Sequence, residues 1–241
     1  MYLGEIAALL TAACWVGSSV SFEYAGKRVG TLVLNLMRLV ISFVIITGIN
    51  LIITQGFQNV NMTWSSFGIL LLSGLIGFVI GDVFLFQAFI VIGARISMLI
   101  MALAPPLTAV MSYFLLQETL GSGQIIGMLV TVLGIVIVIT GREQGGKKLV
   151  VRHSVKGILF AFLGAIGQAL GLIFSKMGVR DLNPFVATQV RIFAGIIGFI
   201  LILTYTRKWR PFFRTFRMGN VIRSITIGSI FGPVVGVSLS L

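Results

Sequence analysis

The chain has 241 residues, 57% of them hydrophobic and only 10% charged, with a mean hydropathy of +1.08. A soluble domain carries about 25% charged residues to cover its surface, so much of this chain is built to face lipid. Its net charge of +12 comes from Lys and Arg gathered between apolar runs, which suits an anionic membrane surface and argues against a nucleic-acid partner. A single cysteine, Cys14, excludes a disulfide framework or a Cys-based metal site within the chain, and no cofactor or metal is expected.

Runs of roughly 20 apolar residues, enough to cross about 30 Å of hydrocarbon, occur near 3–22, 32–54, 66–90, 95–116, 122–140, 156–175, 184–204 and 221–241. Lipid leaves no partner for open backbone, and barrel-type alternation is absent, so all should be helices. The first run has no basic residues before it and reads as a span, not a signal peptide. Lys27 and Arg28 follow span one and Arg95 follows span three. Arg142, Lys147, Lys148, Arg152 and Lys156 surround the link after span five; Arg207, Lys208, Arg210, Arg214 and Arg217 follow span seven. The alternate links, 55–64, 117–123 and 176–183, are poor in positive charge. The positive-inside rule therefore places the odd-numbered links in the cytoplasm and the N-terminus outside. The expected location is a prokaryotic inner membrane.

Within the spans, polar residues are the site candidates, because a charge at mid-membrane is costly unless paired or hydrated. Asp82, in span three after Gly81, could carry a coupling proton, since burial disfavours the charged form of a carboxyl; otherwise it partners a buried arginine or a neighbouring helix. It has no second membrane aspartate with which to form a protease dyad. Arg38 and Arg191 each lie about two turns into their helices and could draw an anionic substrate group, or snorkel and brace the bundle. Trp15, Tyr24, Asn35, Gln87, Gln168 and Gln189 could line a cavity, or serve as interfacial anchors and interhelical contacts. Pro105 and Pro106 should kink span four, as a hinge or a fixed bend. Glu118 should accept from the backbone donors at the start of span five. Glycines at 74, 77 and 81, and at 164, 167 and 171, recur at helical spacing and read as close-packing faces, or as surfaces that slide. His153 falls in a basic loop. The stretch Arg207–Arg217, with Trp209, Phe212, Phe213 and Phe216, reads as an interfacial strip on anionic lipid.

A shift of about 153 residues brings Asn35-Leu36-Met37-Arg38 onto Thr188-Gln189-Val190-Arg191, and Gly4-Glu5-Ile6 onto Gly157-Ile158-Leu159. With two more residues of offset, Gly74, Gly77 and Gly81 fall on Ser229, Gly232 and Gly236. The sequence divides accordingly into a first unit 3–140, a basic linker 141–155 and a second unit 156–241. A unit of five spans has odd parity, so the two would insert upside down and place a substrate site where they meet.

Several motifs then fall in order: Ala94-Arg95-Ile96-Ser97, Ala104-Pro105-Pro106, Leu116-Gln117-Glu118-Thr119-Leu120, and Gln124-Ile125-Ile126-Gly127 followed by Gly134. With Trp15 and Arg38, this order resembles the EamA family of the drug/metabolite transporter superfamily. The resemblance covers 3–140 and most of three helices beyond. It implies an all-α membrane protein of ten helices in two inverted five-helix repeats, about eight of them present here, around a central cavity for metabolites or drugs. It also implies two helices after Leu241, including a second proline–glutamate segment. Many members hold the N-terminus in the cytoplasm, which differs from the orientation drawn above. The function expected is secondary transport of a small solute by alternating access, with possible proton coupling. The rival classes are a membrane scaffold and an intramembrane enzyme, the latter disfavoured because no nucleophile–base pair or His/Glu metal constellation is visible.

Overall fold

The structure, a computed structural model, describes residues 3–53, 62–142, 149–151, 154–179 and 182–236. Expectations resting on 55–61, Lys147, Lys148, Arg152, His153, Arg180 and Val237 lie outside the described residues.

The helices in chain order are α1 (Leu3–Val29), α2 (Thr31–Ile53), α3 (Trp64–Gly74), a π-helical segment (Leu75–Gly81), α4 (Asp82–Met101), α5 (Ala104–Leu116) and α6 (Ser122–Ile139). After the linker come α7 (Val155–Val179), α8 (Pro184–Tyr205), α9 (Trp209–Thr215), α10 (Gly219–Ser229) and a second π-helical segment (Ile230–Gly236). The chain is an all-α, multi-span membrane protein. The strand content among the described residues is a short antiparallel ladder, with Thr140 opposite Val151 and Arg142 opposite Leu149. Helix starts follow local chemistry: Thr63 Oγ1 accepts from the Ser66 N–H at 3.1 Å, and Asn183 Oδ1 accepts from the Phe185 N–H at 2.9 Å with Pro184 in the first turn.

By length and apolarity, five described helical runs could each cross a membrane, and the bent pair Trp209–Thr215 with Gly219–Gly236 would make a sixth. The expected spans 66–90 and 95–116 are divided differently. Helix runs from Trp64 to Met101, 38 residues, about twice what hydrocarbon needs at about 1.5 Å per residue. Gly93, at φ 81° and ψ 160°, turns the chain in a conformation that only glycine adopts cheaply. The helix then stops at Ala102 and Leu103, so span four is fully broken where a proline kink was expected. Pro105 and Pro106 sit in the first turn of α5, where a missing N–H and a fixed φ suit a helix start.

Helix α7 packs against α3, the first π segment, α4 and α5. Its glycine row meets the other one: a Cβ on Gly167 would lie 2.5 Å from Gly81 Cα, and one on Gly171 would lie 2.8 Å from Gly77 Cα. This is the small-residue packing that lets backbones touch where lipid offers no hydrophobic drive. The main core joins Phe22, Leu36, Leu39, Phe78, Phe89 and Phe199 across α1, α2, the first π segment, α4 and α8. By contrast α6 buries only Ile135 and turns Leu129, Leu133 and Ile137 outward.

The 155-residue offset carries α3 onto α10 and the first π segment onto the second, residue for residue. The contacts match as well. Ser73 Oγ donates to the Gly171 carbonyl at 2.6 Å, and Ser18 Oγ donates to the Gly228 carbonyl at 3.1 Å. Ser73 corresponds to Gly228 and Ser18 to Gly171, so one contact is made twice with donor and acceptor exchanged.

Several charged residues gather at one end. Glu23, near the end of α1, accepts from the Ala94 N–H at 2.7 Å and pairs with Lys27. Arg28, Arg210 and Arg214 share a pocket of roughly 590 Å³ at the same end. Trp209, Phe212, Phe213 and Phe216 pack on one another beside it, Trp209 and Phe213 stacked and the other pairs edge-to-face, with Phe212 buried and Phe213 and Phe216 exposed.

Candidate functional site

Arg38 is the eighth residue of α2 and Arg191 the eighth of α8, and each is 1% exposed. Arg38 is partnered at Nε and Nη2. Its Nη2 forms a salt bridge with Asp82 Oδ2, and its Nε donates to Asn35 Oδ1 at 2.9 Å. Asn35 is itself fixed by donating from Nδ2 to the Thr31 carbonyl at 2.9 Å. The other oxygen of Asp82, Oδ1, accepts from Gln168 Nε2 at 2.7 Å. The Arg38 guanidinium also lies 4.7 Å from the Phe86 ring centre, a cation–π contact in a dry setting.

Arg191 is not partnered in this way. Its Nε and Nη1 are buried and have no hydrogen-bond acceptor among the described residues, and its guanidinium rests 4.9 Å from the centre of the Phe78 ring. The offset explains why. The position matching Asn35 is Thr188, whose buried Oγ1 also lacks a partner, and the position matching Asp82 is Val237. Both groups that hold Arg38 are replaced at the matched positions.

Arg191 forms part of the wall of a cavity of roughly 450 Å³. Helix α1 contributes Thr11 and Trp15, the first π segment Phe78, and α4 Met98 and Met101; Pro105 enters from the start of α5. Helix α7 supplies Gln168 and Leu172. The wall is mostly apolar, with Thr11, Trp15, Gln168 and Arg191 as its hydrogen-bonding side chains. Gln168 is engaged by Asp82, whereas Thr11 Oγ1 is buried without a partner. Trp15 and Gln168 are matched positions under the offset, and each lies against a matched glycine, Trp15 by Gly236 and Gln168 by Gly81.

Of the residues singled out from sequence, Trp15, Gln168, Arg191 and Pro105 line this cavity, while Arg38, Asp82 and Asn35 form the bonded cluster behind Gln168. Pro106 is next to Pro105 but outside the lining. Gln189 ties α8 to α2, donating to Thr47 Oγ1 at 2.8 Å and accepting from Asn50 Nδ2 at 2.6 Å. Tyr24 is at the basic end under the Arg28 guanidinium, 3.6 Å from its ring centre, and Gln87 is half-buried away from the lining. Glu118 corrects the expectation placed on it. Its carboxylate pairs with Lys176 of α7, and the α6 start is closed by Gln124 Oε1 accepting from the Gly121 N–H at 3.0 Å. Gln124, on the first turn of α6, reaches that donor directly, while Lys176 offers Glu118 a full charge. The Glu118–Lys176 pair is exposed, so Glu118→Gln is expected to change stability by under about 1 kcal/mol in thermal unfolding.

Sequence reasoning missed Thr11, Phe78, Met98, Met101 and Leu172. Apolar wall residues carry no signal in so apolar a chain. The lone hydroxyl of Thr11 was the one available sign.

These features define a class: a multi-span helical membrane protein with a solute-sized cavity bordered by buried charge. Residues 2–140 match the model of the EamA-like transporter family, and the chain belongs to that family. It is 27% identical over 164 residues to the "Uncharacterized transporter YyaM" of Bacillus subtilis (strain 168), covering 66% of this chain and 51% of that protein. It is 25% identical over 213 residues to the "Uncharacterized transporter YetK" of the same organism, covering 84% of this chain and 60% of that protein. The chain thus spans between about half and three-fifths of the curated relatives it matches. A solved crystal structure of a protein at 20% identity matches with a TM-score of 0.52 over 98% of this chain and 84% of that one, which is a likeness of fold.

Proposed function

We propose that this chain is part of a secondary transporter that binds a small organic solute in the roughly 450 Å³ cavity and exposes it alternately to the two sides of the membrane. The carrying observation is that the wall is assembled from both units, with matched positions Trp15 and Gln168 contributing to it. The exchanged Ser73–Gly171 and Ser18–Gly228 contacts support reading 3–140 and 156–241 as inverted repeats. The glycine seam between α7 and the first π segment, free of bulky side chains, is where the repeats could rock against each other. The gathering of Arg28, Arg210 and Arg214 at one end supports a cytoplasmic position for that end and an outside N-terminus in an inner membrane.

Asp82 is the group at which a coupling proton would act. Both its oxygens are in use, so protonation would release Arg38 and loosen α2 from α4. Comparison of metabolites in cells with and without the full-length protein tests the transport reading. At least one solute is expected to shift its distribution across the membrane, and Gly81→Leu, which forces the seam apart, is expected to abolish the shift. An unchanged metabolite profile favours a scaffold instead. For that solute, Asp82→Asn is expected to remove uptake driven by a pH gradient in vesicles; undiminished pH-driven uptake would refute the coupling role.

A further inference from the structure

We propose that the cavity selects small organic monoanions, seating one carboxylate on Arg191, with Thr11 as a second polar contact, and the apolar body against Trp15, Met98, Met101 and Leu172. This rests on the transport reading and names the substrate class for the same site.

The buried ionisable side chains among the described residues are Arg38, Asp82 and Arg191, two guanidiniums and one carboxylate. Asp82 is held by Arg38 and Gln168, so one positive charge stays uncompensated in a dry interior. Such a charge costs several kcal/mol unless an anion joins it. The comparison with Arg38 makes this specific. The fold can neutralise an arginine at this depth, and does so at Arg38 with Asn35 and Asp82. At Arg191 the matched residues, Thr188 and Val237, supply no carboxylate, and the side chain borders a cavity.

The shape of the site narrows the ligand further. A guanidinium presents a planar fork that fits a carboxylate, and Phe78 flanks it on one side. The remaining wall is indole, thioether and alkyl surface, which rewards an apolar body. A volume of roughly 450 Å³ is near the lower end of the range of about 300–1,000 Å³ for small-molecule pockets, and so suits a metabolite-sized ligand. A second carboxylate on the ligand would lie unpaired against Met and Leu side chains, and an ammonium would be repelled by Arg191.

The test uses the full chain in detergent, with 3-phenylpropionate, its neutral amide and 3-phenylpropylamine as probes, and phenylsuccinate as the dianion. Binding is read by calorimetry and by quenching of Trp15, with Trp15→Phe as the optical control. The acid is expected to bind at least about tenfold tighter than the amide and the dianion, and the amine not at all. Arg191→Gln should bring the acid down to the amide, while Arg191→Lys keeps part of the preference. Retained amide binding in Arg191→Gln shows that the cavity is intact. Equal binding of acid and amide, no binding of either, or an unchanged preference in Arg191→Gln overturns the assignment. These results leave the transport reading standing if metabolites still shift in cells. Acid binding without any solute movement by the full-length protein supports the site and defeats the transport reading.

Discussion

Arg38→Met is expected to lower the stability of the protein by about 3–5 kcal/mol, because it leaves the buried Asp82 carboxyl without its ion partner. Asn35 would lose its acceptor role at the same time, and Gln168 alone would hold the carboxylate. The double variant Arg38→Met/Asp82→Leu removes both charges and should recover most of the loss, since an apolar pair of similar volume costs little where a paired charge stood. Arg191→Met should behave in the opposite way. It removes a charge that has no acceptor at Nε or Nη1, and the melting temperature should rise. Thermal unfolding followed by circular dichroism in detergent compares the three. A stable Arg38→Met protein, or an Arg191→Met protein destabilised as much as Arg38→Met, would mean that the two arginines are not differently partnered.

That contrast also shows where the sequence was legible and where it was not. The helices followed from apolar length and from the lack of any other way to satisfy backbone in lipid. The alignment of Arg38 with Arg191 followed from a shift that a reader could find by eye. The relation of Arg38 to Asp82 was open to guess, because a buried charge needs a partner and few were available. The relation of Gln168 to Asp82 was not, because α7 reaches that carboxylate only through the Gly81–Gly167 contact, between residues far apart in the chain. In the sequence Pro105 and Pro106 read as a kink, because proline usually announces one inside a helix. Gly93, which carries the sharp turn, sat unnoticed among a chain's worth of glycines, and a φ of 81° leaves no mark in composition. Glu118 went astray for a related reason: Lys176, its partner, is on another helix.

Gly74→Ala is expected to impair the protein out of proportion to one methyl group. A Cβ there would lie 2.2 Å from the Arg191 carbonyl oxygen and 2.9 Å from its Cα, so α3 meets the backbone of α8 at the very residue proposed to receive the anion. A flexible side chain could swing away from such a methyl, but a helical carbonyl cannot. One helix must therefore move by about 1 Å to restore ordinary contact, at a cost of about 1–3 kcal/mol or more. The displacement would carry Arg191 off the Phe78 ring and change the angle at which its fork meets the cavity. Gly68→Ala on the same helix is the control: nothing lies within 4 Å of the added methyl, and helix propensity should make it neutral or slightly stabilising. The position matched by the 155-residue offset is Ser229, fully buried with its Oγ donating to the Ile225 carbonyl at 2.8 Å, so a side chain is tolerated there. The restriction therefore belongs to the contact with Arg191 and not to this position of the helix in general. Melting temperature and the acid-over-amide preference should fall together in Gly74→Ala and stay unchanged in Gly68→Ala. If Gly74→Ala keeps the preference while losing stability, the α3–α8 contact supports the fold without setting the position of Arg191.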